Sequence, residues 1–83
     1  MKLFYFAWLR QKIGRGEETL DLPSDVQTVS ALLDWIETLG PGYAAALADR
    51  KSIRVAVNQE YVGTQHPVAA DDEIALFPPV TGG

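Results

Sequence analysis

The order of hydrophobic patterns predicts an α+β protein, with one main helix packed across a face of a mixed sheet. Three observations carry this reading. An apolar run opens the chain at Leu3 to Leu9, an apolar stripe recurs at helical spacing from Val29 to Leu39, and two extended runs follow, Ser52 to Asn58 and Glu73 to Phe77. Strands on either side of a helix, in a chain of 83 residues, need that helix as the second layer of one small core.

Leu3 to Leu9 reads as the first strand. Leu3, Tyr5, Ala7 and Leu9 fall on one face, and Phe4, Phe6 and Trp8 on the other. Both faces are apolar and both need cover. The protein's own helix takes one, and either a partner or a loop takes the other. Gly14-Arg15-Gly16 is a turn, and Glu17 to Leu22 a second strand closed by Pro23-Ser24-Asp25. The short glycine-containing link suggests an antiparallel hairpin.

Thr28 is placed to cap the main helix, whose stripe is Val29, Leu32, Leu33, Ile36 and Leu39. Gly40 suits the position just past its end, and Pro41 forbids continuation. A shorter helix is predicted over Tyr43 to Ala48, where alanines supply propensity. Ser52 to Asn58 is a strand, Asn58-Gln59-Glu60 a turn into Tyr61-Val62, and Gly63 to Pro67 irregular, with Val68 as a core plug beneath it. Ala70-Asp71-Asp72 turns into the last strand, Glu73 to Phe77. A first and last strand lying side by side would run parallel at the sheet's centre, which is the ubiquitin-like β-grasp arrangement. No repeat or linker divides the chain, so residues 1–83 read as one domain with 78–83 as an extended tail.

That tail is the candidate site. Pro78 and Pro79 have no N–H for a sheet ladder, fix φ near −65° and push their predecessors into extended conformations. The chain therefore leaves the sheet as a semi-rigid arm of roughly 15–20 Å at about 3.1–3.6 Å per residue. Gly82 and Gly83 make its tip as thin as a polypeptide can be, able to enter a narrow channel with an unhindered terminal carboxylate. A carboxylate becomes an acyl donor once joined to AMP as a mixed anhydride, which a sulfur or amine nucleophile can attack. Nothing in the chain looks built to bind ATP, so a separate activating enzyme must perform that step.

Other chemistries find little support. Net charge is −4 and the isoelectric point about 4.7, which argues against nucleic acid as a partner. The absence of cysteine rules out a thiol nucleophile, disulfides and thiolate metal sites. No stretch reaches membrane-spanning length, and the expected location is the cytoplasm. His66, the only histidine, reads as a loop residue. Asp71-Asp72-Glu73 reads as a solvated turn, Trp8 and Trp35 as packing residues, and Gly14-Arg15-Gly16 is too short to cradle phosphate.

Three segments carry a resemblance: Phe6-Ala7 with Leu9-Arg10 and Gly14, Val55-Ala56-Val57-Asn58-Gln59-Glu60-Tyr61-Val62, and Phe77-Pro78-Pro79-Val80-Thr81-Gly82-Gly83. In this order and spacing the chain resembles the small subunit of molybdopterin synthase, the MoaD family, along nearly its whole length. Two departures stand out. Ala70-Asp71-Asp72-Glu73 lacks the glycine of the family's Asp-Gly-Asp-Glu, a loss that Asp eases by tolerating left-handed geometry, and Trp8 is bulky for its place.

The resemblance implies a β-grasp fold and a sulfur-carrier role in molybdenum cofactor biosynthesis, with no catalysis by the chain alone. A MoeB-like enzyme would adenylate Gly83 with ATP, and a sulfur donor protein would convert it to a thiocarboxylate. Thr81 and Gly82 would thread into a MoaE-like large subunit, with Phe77, Pro78, Pro79 and Val80 as a hydrophobic anchor. Sulfur would pass to cyclic pyranopterin monophosphate, two transfers building the dithiolene within a heterotetramer. ATP belongs to the activating enzyme, and no cofactor, metal, nucleic acid or membrane is expected on the chain itself. A thiamine-pathway carrier, a ubiquitin-like protein modifier and a plain docking module are the alternatives.

Overall fold

In the computed structural model, which describes residues 1–79, five strands form one sheet and three short helices accompany it. The elements are β1 (Lys2–Tyr5), α1 (Trp8–Ile13), β2 (Glu17–Thr19), α2 (Val29–Glu37), α3 (Pro41–Ala46), a 3₁₀ turn (Arg50–Ser52), β3 (Arg54–Val57), β4 (Glu60–Val62) and β5 (Glu73–Phe77). The strand order is β2-β1-β5-β3-β4, with β1 and β5 parallel and the other pairs antiparallel. The expected ubiquitin-like β-grasp is the observed fold.

The first strand is shorter than its apolar run. β1 stops at Tyr5, and Trp8 to Ile13 form α1 instead. Phe6 N–H still donates to Leu76 O at 3.1 Å, but Ala7 adopts φ 55° and turns the chain out of the sheet. Leu9 and Ile13, four residues apart, then reach the core from a helix. Apolar residues of both parities were thus a strand followed by a helix. Gly14 ends α1 in the left-handed conformation at φ 91°, its N–H donating to Arg10 O at 2.8 Å. β1 and β2 are antiparallel as expected, but α1 lies within their connection. Leu20 and Leu22 pack on the core from beyond the end of β2.

Thr28 caps α2 as the sequence indicates, its Oγ1 accepting from Ala31 N–H at 3.2 Å. The loop after β4 serves the other free donors of that helix end. Val29 N–H donates to His66 O at 3.0 Å and Ser30 N–H to Thr64 O at 2.8 Å. Val29, Leu32, Leu33 and Ile36 are buried, and Leu39 packs half-buried beside them. The helix ends at Glu37, however, so Gly40 does not terminate it. Gly40-Pro41 instead opens α3, with proline in its first turn, where a missing N–H costs nothing. The alanines of α3 contribute more than propensity, since Ala46 is fully buried and a Cβ on Gly42 would lie 2.6 Å from Lys12 O. β3 starts at Arg54, two residues later than expected, because Ser52 belongs to the 3₁₀ turn.

One partly buried polar cluster ties the layers. Glu18 of β2, its side chain 8% exposed, accepts from Tyr5 and Tyr43 hydroxyls at 2.7 Å each and from Arg15 Nη1 at 3.2 Å. It joins β1, β2 and α3 with its polar atoms satisfied. Burial, and then the bond to Glu18 and its charge, raise the ionisation of Tyr5 well beyond the usual tyrosine range, and raise Tyr43 for the same reasons. A phenol with a raised folded pKa contributes stability in full below its unfolded value, about 10, and loses it as pH rises through the folded value. Urea midpoints are therefore expected to fall above about pH 10, and Tyr5→Phe to make that fall shallower. An alkaline decline of the same slope in Tyr5→Phe would contradict this assignment.

Candidate docking face and tail base

β5 decides where the site lies. Its residues alternate across the sheet, so Ile74 and Leu76, both 0% exposed, enter the core while Ala75 and Phe77 face the other way. Strand register extends that second face sideways. Phe4 lies beside Ala75, Ala75 beside Ala56, and Ala56 beside Tyr61, while Arg54 lies beside Phe77. Phe6 continues the face past β1 and is 50% exposed, and Tyr61 is 79% exposed. The rings of Tyr61 and Phe77 meet at 5.3 Å between centroids, tilted by 43°. The result is an apolar surface on which Phe4, Phe6, Tyr61 and Phe77 surround two alanines, an arrangement rarely left open unless something docks there.

Turn chemistry fixes this register. Asn58 and Gln59 join β3 to β4 with φ of 50° and 71°, the two positive values a tight primed hairpin turn requires. Asn58 then clamps the start of β5. Its Oδ1 accepts from Glu73 N–H and its Nδ2 donates to Asp72 Oδ1, both at 3.0 Å. Asp72 Oδ2 accepts from Ala69 N–H at 2.8 Å. Asp71 and Asp72 are not among the residues with positive φ, so this turn calls on no left-handed geometry where the glycine was expected.

The expected site residues divide at Pro79. Phe77 closes β5, and Pro78 and Pro79 follow it half-buried. Val80, Thr81, Gly82 and Gly83 lie outside the described residues. Of the two covers considered for the second face of β1, no loop among the described residues takes the role at Phe6. Tyr61 was not legible in advance, since its face depends on pairing with Ala56 across a turn.

The face has a charged rim. Lys2 pairs with Glu17 at 3.6 Å and sits 5.2 Å from the centre of the Phe4 ring. Arg10 lies over Gly16, where a Cβ would come within 3.0 Å of its guanidinium carbon. Arg54 is held by backbone carbonyls, its Nη1 donating to Lys51 O at 3.1 Å and Ile53 O at 3.2 Å.

The other sequence candidates lie elsewhere. His66 is in the loop over α2, its Nδ1 2.8 Å from Pro67 O, which requires the Nδ1–H tautomer. Asp72 is committed to its turn, and among the described residues no group of three His, Asp or Glu is arranged to hold a metal. Trp35 packs on the core, and Trp8 does so half-buried, with Lys12 Nζ 5.5 Å from its ring centre. No described helix is long and apolar enough to cross a membrane.

A face kept for docking should matter little to folding. Phe6→Ser and Tyr61→Ser are each expected to lower unfolding free energy by no more than about 1 kcal/mol. Leu3→Ala, on the closed face of the same strand as Phe4, should cost about 2–5 kcal/mol. Denaturant titration of the three variants checks the contrast.

Comparison with known proteins is consistent with this geometry. The ThiS family profile matches residues 3–83. The molybdopterin synthase sulfur carrier subunit of Escherichia coli is 39% identical over 83 residues, spanning 100% of this chain and 99% of the relative. Its human counterpart of the same name is 41% identical over 88 residues, spanning 100% and 93%. Among solved structures, a putative molybdopterin converting factor subunit 1 from Pyrococcus furiosus superposes with a TM-score of 0.75 at 28% identity, covering 95% of each chain. The H. volcanii small archaeal modifier protein 1 gives 0.74 at 32% identity, covering 96% and 97%.

Proposed function

The chain belongs to the ThiS family and, within it, to the molybdopterin synthase small subunits, and on that premise we propose that it carries sulfur as a thiocarboxylate on Gly83. The observation that carries this reading is the course of β5. The central strand ends at Phe77 on an open apolar face, followed by two prolines that cannot extend the sheet ladder. The fold supplies a platform to be gripped, and the terminal carboxylate supplies the chemistry.

In the proposed cycle a MoeB-like enzyme joins the Gly83 carboxylate to AMP and releases pyrophosphate from ATP. Sulfide-level sulfur supplied by a donor protein then attacks the acyl carbon, AMP leaves, and the thiocarboxylate remains. The face around Phe77, Pro78 and Pro79, with Val80, docks on a MoaE-like large subunit, in a heterotetramer of two copies of each. Thr81 and Gly82 thread Gly83 to cyclic pyranopterin monophosphate, which takes the sulfur, and water restores the carboxylate. Two rounds supply the two sulfurs of the dithiolene. The chain binds no cofactor of its own in this scheme, and the cycle runs in the cytoplasm.

Likeness to an archaeal modifier protein favours one second reading, in which the same activated terminus is joined to lysine amines. The two readings share activation and differ in the acceptor. Intact mass after co-expression with an activating enzyme and a sulfur source, followed by alkylation, separates them. The expected result is a sulfur-for-oxygen increment and an alkyl label at Gly83, in a protein without cysteine. An unlabelled terminus together with lysine adducts would favour the modifier. Phe77→Ala should also weaken docking on the large subunit by about 2 kcal/mol, roughly thirtyfold, in calorimetry. Unchanged affinity would remove Phe77 from the anchor.

A further inference from the structure

Beside the tail base, Arg54, Val55, Tyr61, Val62 and Phe77 line a shallow pocket of about 250 Å³. Its walls are mostly apolar, and Arg54 is the one ionisable cation in its lining. Among the described residues three of the seven basic side chains are committed to carboxylates, and Arg54, like Arg10, Lys12 and Lys51, is not. Arg15 pairs with Glu18, Arg50 with Asp34 and Glu37, and Lys2 with Glu17. Arg54 has no carboxylate partner among the described residues, although the protein carries a net charge of −4. Both of its described hydrogen bonds run from Nη1 to backbone carbonyls, which fix the side chain and leave the rest of the guanidinium fork free. Phe77, its neighbour across the β3–β5 ladder, is the last residue before the prolines.

We propose that this pocket is a socket for one apolar side chain of the large synthase subunit, with an adjacent Asp or Glu of that subunit pairing with Arg54. This rests on the functional reading above and adds the chemistry of the partner's surface to it. An orientation signal at this point has a physical use. An apolar face alone tolerates rotation, whereas a fixed guanidinium at the tail's exit admits only the dock that brings a carboxylate to it. Threading a narrow tail requires that alignment.

The test is calorimetry of the full chain against its large subunit between about 50 and 500 mM salt. Wild type should lose affinity as salt rises. Arg54→Gln should bind about tenfold more weakly at low salt and depend less on salt, and Arg54→Glu should bind more weakly again. Arg54→Lys should keep the salt dependence, and Lys12→Gln, on α1 outside the face, should match wild type. Gln and Glu variants that lose affinity equally would indicate packing only and overturn the ion pair. Arg54→Gln indistinguishable from wild type would overturn the socket while leaving the carrier reading intact. A wild-type chain that does not bind the large subunit would overturn both.

Discussion

Everything in this structure depends on β5 being held from both sides. β1 pairs with it in parallel and β3 antiparallel, so its backbone groups are committed and its register cannot slip. A shift of one residue would turn Ile74 and Leu76 out of the core and Phe77 into it. The burial of those two aliphatic side chains, about 1.5–3 kcal/mol each, therefore fixes the direction in which Phe77 and the prolines leave the sheet. Core packing and the outward facing of Phe77 are settled by the same alternation.

The polar contacts reinforce that arrangement at its ends. Asn58 and Asp72 clamp the residues entering β5, while Glu18 binds β1 and β2 to α3 on the other side of the sheet centre. Their satisfied bonds leave the closed side with little reason to change shape. The open side has the opposite character, with large rings exposed and small alanines between them. The two sides thus differ in kind, one closed by satisfied bonds and the other carrying exposed apolar surface.

Much of this was legible in the sequence where a local rule and the fold agreed. Thr28 capped its helix, the stripe from Val29 to Ile36 was buried, and Phe77-Pro78 marked the end of the last strand. Legibility failed where one pattern served two elements. Leu3 to Leu9 is apolar throughout and passes for one strand covered on both faces, and only Gly14, five residues beyond Leu9, signals that a helix ends there. Gly40-Pro41 is ambiguous in a similar way, because a pair suited to ending one helix begins another equally well. Tyr61 was hidden for a deeper reason. Its role comes from lying across from Ala56, and pairing between strands is a property of the sheet that no single segment contains.

The pairing of the first strand with the last described one also bears on how the protein comes to be folded. Leu3 and Ile74 meet across nearly the whole described chain, so the loop-closure entropy of their contact must be met before the centre of the sheet can form. Such long-range topology folds slowly compared with local structure, and no subset of earlier segments contains the central strand. During synthesis the sheet stays open until β5 has emerged. Phe77 and the two prolines after it therefore take their places at the end of β5 only in a chain whose centre has closed.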